Sequence, residues 1–289
     1  MKTLVAGPYC GELGWEVFTW QPMVRNIFLS NDYDQCIIYT GKGKELLYPF
    51  AAEVRTLPNV PKHEAECLAW HNFHKYKEEF VELIKQMAET VQKEFPEGLQ
   101  IYTFSALEHL NYEYFDRGYP DLLTGNKNKK EFAKQFNLKY SEKPVLTFNV
   151  RDREMSDHRN WDYIEWGKLC ECLSDRFDIN LVGLIRDKES WENVIPENVN
   201  DLTSKTTIND CINLFQHTDL TIGGSTGMTH LAARCNSPHL VWGNEKVLLR
   251  CAQTNWFGTP YKVYLWGWEP KPEQIAEKVN NYFDNGEFK

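Results

Sequence analysis

The chain has 289 residues, enough for about two domains of ordinary size or one large α/β domain. Hydrophobic residues make up 42% and charged residues 25%, which excludes a disordered chain, a collagen-like fibre and a bundle of membrane helices. With 41 acidic against 32 basic side chains the net charge is −9, a balance unsuited to wrapping nucleic acid or anionic lipid by bulk charge. The 8 cysteines are scattered through apolar runs without a C-x-x-C pair. That pattern reads as reduced, mostly buried thiols, and zinc would need a tighter cluster. The apolar part of the N-terminus is too short for a signal peptide, and no run of about 18 apolar residues is long enough for a transmembrane segment. The expected compartment is the cytoplasm.

Thr3–Ala6 reads as a buried strand. It runs into G-P-Y-C-G-E-L-G-W-E-V-F-T-W-Q-P, in which Gly7, Gly11 and Gly14 loosen a loop at the strand's carboxyl end. Parallel α/β sheets place their ligands there. The loop carries two carboxylates, Glu12 and Glu16, either of which suits a general base. One of the pair reads as structural, for example as a cap on a helix over Glu16–Ile27. Cys36–Tyr39 is the next strand. A helix over Tyr76–Phe95 follows from apolar residues at steps of three and four, stopped by Pro96 and Gly98. His71 and His74, just before it, lack a third metal ligand. Leu99–Thr103 is a further strand, and Asp121–Lys143, with its Lys127–Lys130 run, reads as a linker.

The second half is more regular. Val145–Val150 is a strand followed by N-V-R-D-R-E-M-S-D-H-R-N-W, where Arg151, Arg153 and Arg159 bring three guanidiniums within nine residues. Bidentate arginine suits phosphate oxygens; pairing with Asp152 and Asp157 is the plainer explanation. A helix over Tyr163–Ser174, a strand at Ile179–Leu184 and a helix at Ile208–Phe215 come next. Asp219–Ile222 is a strand that runs into G-G-S-T-G, where a helix over Thr226–Cys235 opens. Small residues let backbone amides approach an anion at the positive end of that helix. Ser225, Thr226 and Gly227 therefore make a candidate phosphate site, or else a tight turn with a Ser/Thr cap. His230 shares a helix face with Thr226, either facing the ligand or buried under the loop. His239–Trp242 is a strand beyond which Glu245 is placed to bind ribose hydroxyls, with Gly224 assigned to the same nucleoside end. Tyr261–Leu265 is a last strand and Pro272–Phe283 a last helix.

Strands alternating with helices imply right-handed crossovers and parallel sheets. The expected architecture is α/β, with two Rossmann-like domains facing across a cleft: residues 1–140 for an acceptor, 141–270 for a nucleotide sugar, and a C-terminal helix in 271–289 packing back on the first domain.

Three of these segments together resemble the GT-B glycosyltransferases, and in particular the heptosyltransferases that use ADP-heptose. That family has an L-G-D loop after its first strand and a helix ending in proline. Leu13-Gly14-Trp15-Glu16 followed by V-F-T-W-Q-P is similar, with Trp15 inserted and Glu16 in the place of the aspartate. Arg159-Asn160-Trp161 resembles the family's basic residue before a tryptophan, which binds diphosphate. Ser225-Thr226-Gly227-Met228-Thr229-His230-Leu231-Ala232 matches D-T-G-x-x-H-x-A, with Ser225 replacing the aspartate.

The resemblance implies transfer of a sugar from a nucleotide-diphosphate sugar to a hydroxyl, with no metal and no other cofactor. Glu16 would be the base and Glu12 the reserve, while Arg151, Arg159, Ser225, Thr226, Gly227 and His230 would hold the diphosphate. The expected acceptor is a saccharide or glycan. DNA carrying hydroxymethylated bases is an alternative, as in phage-type glycosyltransferases of this fold. Two further readings stand beside it: a nucleotide-sugar-binding module without catalysis, and a serine hydrolase using Ser225, because G-G-S-T-G fits G-x-S-x-G.

Overall fold

The computed structural model describes residues 1–9, 11–56, 73–103, 133–154, 156–246 and 258–286. The chain separates into two compact units, Met1–Asp116 and Arg117–Lys289.

The first unit begins with β1 (Thr3–Ala6), a short helix α1 (Leu13–Trp15), one π-turn (Glu16–Trp20) and α2 (Gln21–Ser30). β2 (Gln35–Tyr39), β3 (Glu53–Arg55), α3 (Phe73–Glu94) and β4 (Leu99–Tyr102) complete it. The sheet has the order β3-β2-β1-β4, with every pair parallel. Its central strand is buried along its whole length, as expected of a parallel strand covered on both faces. α3 buries Phe80, Leu83, Met87 and Val91, the stripe that its spacing predicts. The first helix differs from expectation, starting at Leu13 and widening into a π-turn in which the Gln21 amide reaches back to the Glu16 carbonyl. That i→i+5 bond takes one residue more per turn than an α-helix. β3 was not anticipated. It is a three-residue edge strand of Glu-Val-Arg, and its polarity hides it. Arg55 pairs with Glu53 within the strand and ties it to Glu94 at the end of α3.

The second unit runs β5 (Val145–Arg151), α4 (Tyr163–Leu173), β6 (Asp178–Leu184), α5 (Lys188–Glu192), β7 (Asn200–Asp201) and α6 (Ile208–Phe215). Then come β8 (Leu220–Gly224), α7 (Gly227–Arg234), β9 (His239–Trp242), β10 (Tyr261–Tyr264) and α8 (Pro272–Asn285). All its strands are parallel, in the order β10-β9-β8-β5-β6-β7. This is the doubly wound order, and the winding reverses between β5 and β8. Ahead of β5, the segment 133–143 is tied to this sheet: the Lys139 amide donates to Asn200 and the Ser141 amide to Asp178.

The two faces of the second sheet differ. On one, Leu146, Phe148, Val150, Leu220 and Ile222 meet Trp166, Leu169 and Leu173 of α4 and Ile275 and Val279 of α8. Each fully buried aliphatic side chain here contributes roughly 1.5–3 kcal/mol. The last helix, expected to pack back on the N-terminal domain, is thus seated in the second unit's core, where its apolar stripe finds α4; Arg176 adds hydrogen bonds to Asn280 and Asp284. The opposite face carries a row of polar residues in register across five strands: Asn200, Asn180, Thr147, Thr221 and His239. All are buried. Asn200 donates to Asn180, Thr147 pairs with Thr218, and Thr221 pairs with Ser237.

Much of the aromatic richness serves packing, since Trp20, Trp161, Trp166, Trp191 and Trp242 are all buried. Among the described residues Cys36, Cys170, Cys172, Cys211 and Cys235 form no disulfide, and burial pushes Cys36 and Cys211 up to about 12. No described helix is long and apolar enough to cross a membrane.

Candidate functional site

In the first unit, β1 ends at Gly7, whose positive φ and close approach to the Tyr39 carbonyl leave no room for a side chain. The chain turns through Tyr9, whose hydroxyl donates to the Glu12 carbonyl at 2.9 Å. Tyr9 stacks on Trp20, and Trp20 on Tyr102, so the loop is pinned by an aromatic column.

The two candidate carboxylates have opposite surroundings. Glu16 is fully enclosed. One of its oxygens accepts from Thr40 at 2.5 Å and Tyr48 at 2.6 Å; the other accepts from Lys44 at 2.7 Å. Burial, then the charge of Glu16, holds the Tyr48 hydroxyl well above its ordinary range, so it stays protonated and donates. Glu16 is the carboxylate expected to be the base, and Thr40, Lys44 and Tyr48 hold it in place. Its carboxylate is taken up by three donors of its own unit. Glu12, one α1 length earlier, is only partly buried. Thr40, Lys44 and Tyr48 are the residues that sequence reasoning missed here. They lie 24 to 32 positions from Glu16, and no local pattern links them to it.

In the second unit, the candidate residues gather where β5 and β8 end. β8 delivers Ser225 and Thr226 to the head of α7. Ser225 is buried, and its hydroxyl has no hydrogen-bond partner among the described residues; neither has that of Thr226, which holds the N-cap position. The Thr226 amide is taken by the Thr229 hydroxyl at 3.0 Å, so the amides heading the helix begin at Gly227. Arg159 donates to the Ser225 carbonyl, and its guanidinium lies 4.7 Å from the centre of the Trp268 ring. Trp268 also borders Gly224, and sequence reasoning gave it no role.

Arg151 organises its own loop, donating to the Ser156 carbonyl and to Asn160. The plainer reading gave these arginines Asp157 and Asp152 as partners. The Asp152 carboxylate bonds Arg186 and Tyr163. Burial pushes it up, but the hydrogen bonds outweigh burial and hold it below the usual range. His230 is buried on the first turn of α7. Glu245 is exposed beyond β9. His71, Lys127–Lys130, Cys10, Cys67 and Cys251 lie outside the described residues, as does the side chain of His74. A separate groove of about 1060 Å³ is lined by Asp152, Asp162, Glu165, Asp187 and Glu269 against Arg186 and Lys271. Its acidic lining disfavours a diphosphate.

The sequence profile of glycosyltransferase family 9 (heptosyltransferase) matches residues 74–244, more than half of the chain. The chain belongs to glycosyltransferase family 9. Lipooligosaccharide heptosyltransferase 2 of Haemophilus influenzae is 26% identical over 117 residues, which make up 38% of this chain and 33% of that protein. The match thus spans about a third of the relative's length. Among solved structures, the E. coli ADP-heptose LPS heptosyltransferase II has a TM-score of 0.66 at 15% identity, over 99% of both chains. A family 9 glycosyltransferase from Veillonella parvula has 0.56 at 12% identity, over 98% of this chain and 89% of that one. An E. coli heptosyltransferase with ADP has 0.54 at 15% identity, over 98% and 99%. These likenesses show the fold, which is that of the GT-B glycosyltransferases. The family 9 profile ends at the residue after Gly243, so it spans β5, Arg159 and the whole β8–α7 junction.

Proposed function

We propose that the chain transfers a sugar from a nucleoside-diphosphate sugar, held by its second unit, to a hydroxyl of a saccharide or glycan. The observation that carries this reading is the β8–α7 junction. At the reversal of the winding, two hydroxyls without partners among the described residues, the head of a helix and a guanidinium come together. Oxygens of a diphosphate accept from all three kinds of donor. As the glycosidic bond breaks, negative charge builds on the leaving diphosphate. Arg159 and the Gly227 end of α7 would stabilise it electrostatically. Among the described residues no group of three or more His, Cys, Asp or Glu side chains is placed to hold a metal ion. We assign the acceptor proton to Glu12, and to Glu16 the anchoring of the loop that carries it. Family membership supports an ADP-linked heptose as the first donor to try. Ser225 in place of the family's aspartate leaves the sugar to be tested.

The hydrolase reading finds no support, because a nucleophile elbow needs a histidine base on the serine hydroxyl, and Ser225 Oγ has no partner among the described residues. The DNA reading likewise finds none among the relatives. The test is a panel of ADP-, UDP-, GDP- and CMP-linked sugars, read by thermal shift and by release of the free nucleotide. One nucleoside-diphosphate sugar should raise the melting temperature and be consumed. Binding without turnover under any acceptor would favour a module without catalysis; no binding at all would refute the donor site.

A further inference from the structure

Asn149 lies near the carboxyl end of β5, opposite Gly223 of β8. It is 1% exposed, and neither atom of its carboxamide has a hydrogen-bond partner among the described residues. Leaving a buried polar group unsatisfied costs on the order of 1–3 kcal/mol. Four neighbours on this sheet face avoid that cost, since Asn200, Asn180, Thr147 and Thr221 are all bonded to protein groups. The backbone is also shaped around Asn149. A Cβ on Gly223 would stand 2.9 Å from the Asn149 Cβ and 3.1 Å from its carbonyl oxygen. The unsatisfied carboxamide therefore sits at the switch point of the sheet, where doubly wound folds bind ligands.

The chemistry of the carboxamide narrows what it reads. Its nitrogen donates and its oxygen accepts. Diphosphate oxygens only accept, so they would leave the Asn149 oxygen without a donor. A sugar hydroxyl both donates and accepts. Topology separates the two ends of the donor as well: β9, with Glu245 beyond it, flanks β8 on one side, and β5 flanks it on the other. A diphosphate at the β8–α7 junction with its nucleoside toward β9 places its sugar toward β5. We infer that Asn149 is a specificity-determining residue of the donor site, its carboxamide bonding a hydroxyl of the transferred sugar. This rests on the donor reading above.

The test compares ADP with ADP-heptose by calorimetry on the full chain, for the wild type, Asn149→Ala and Asn149→Asp. Loss of one hydrogen bond to the sugar should weaken ADP-heptose about tenfold in Asn149→Ala, with ADP unchanged within about twofold. Asn149→Asp keeps the shape and an acceptor oxygen but loses the amide donor, so it should also discriminate against the sugar; a thermal melt of each variant establishes that it is folded before titration. Equal weakening of both ligands, or of neither, in a folded variant would overturn the assignment of Asn149. Failure of the wild type to bind either ligand would instead count against the donor reading, and the Asn149 assignment would fall with it.

Discussion

Glu12 and Glu16 stand four positions apart, and a single helical turn gives them different chemistry. Glu16 receives hydrogen bonds from Thr40, Lys44 and Tyr48 inside the first unit. A carboxylate held this way binds β2's trailing loop to the start of the first helix. Removing its charge leaves Lys44 buried beside a neutral amide. Glu16→Gln should therefore lower stability by roughly 3–5 kcal/mol in chemical denaturation, the scale for breaking a buried pair from one side. Glu12→Gln should leave stability and donor affinity near wild type and lower kcat about 10² to 10⁴-fold, the range of a lost general base. A large kcat loss in a stably folded Glu16→Gln, with Glu12→Gln fully active, would reverse the two assignments. The sequence shows that two carboxylates compete for one role. It does not show which is enclosed, because the enclosing donors arrive from the loop after β2, 24 to 32 positions away.

Among the elements, those built on apolar periodicity were readable from the sequence. β1 and β9 have the expected ends, α3 runs over Phe73–Glu94 where Tyr76–Phe95 was expected, and α6 over Ile208–Phe215 as expected. β3, β7 and α5 were not, because Glu-Val-Arg, Asn-Asp and Lys-Glu-Ser-Trp-Glu carry too little apolar alternation. The π-turn over Glu16–Trp20 was marked only by Trp15, which read as inserted. The polar row was invisible for a different reason: it exists only once five strands are in register. His239 in that row has a measurable consequence. Burial pulls its imidazole down to about 3, against 6.5 unperturbed, and it stays neutral on the Ser237 carbonyl. The unfolded chain takes up that proton first as pH falls. The contribution of His239 is thus complete above about pH 6.5 and is lost as pH falls toward 3, at up to about 1.4 kcal/mol per pH unit. Denaturation of the wild type against His239→Gln at a series of pH values should show the difference shrinking through this window. A constant difference would mean that His239 binds its proton equally in the folded and unfolded chain.

At the scale of the whole molecule, each unit presents the carboxyl ends of a parallel sheet, and the candidate residues lie at those ends. The Leu13–Glu16 loop, the Arg159-Asn160-Trp161 string and the motif at Ser225–Ala232 together were enough to expect the family, and the alternation of strands and helices to expect the fold. Asn149 and Trp268 were not readable, because their relation to the β8–α7 junction comes from strand register and from a loop well beyond it in sequence. The net charge of −9 is compatible with a diphosphate ligand, since Arg159 supplies local positive charge where the amides of α7 begin. The most direct test of the account is calorimetric titration of the full chain with ADP, for the wild type and Arg159→Ala. The wild type should bind, and Arg159→Ala should lose at least about tenfold in affinity, with Arg159→Lys between them. Equal affinity in a folded Arg159→Ala would contradict the placement of the donor at the β8–α7 junction.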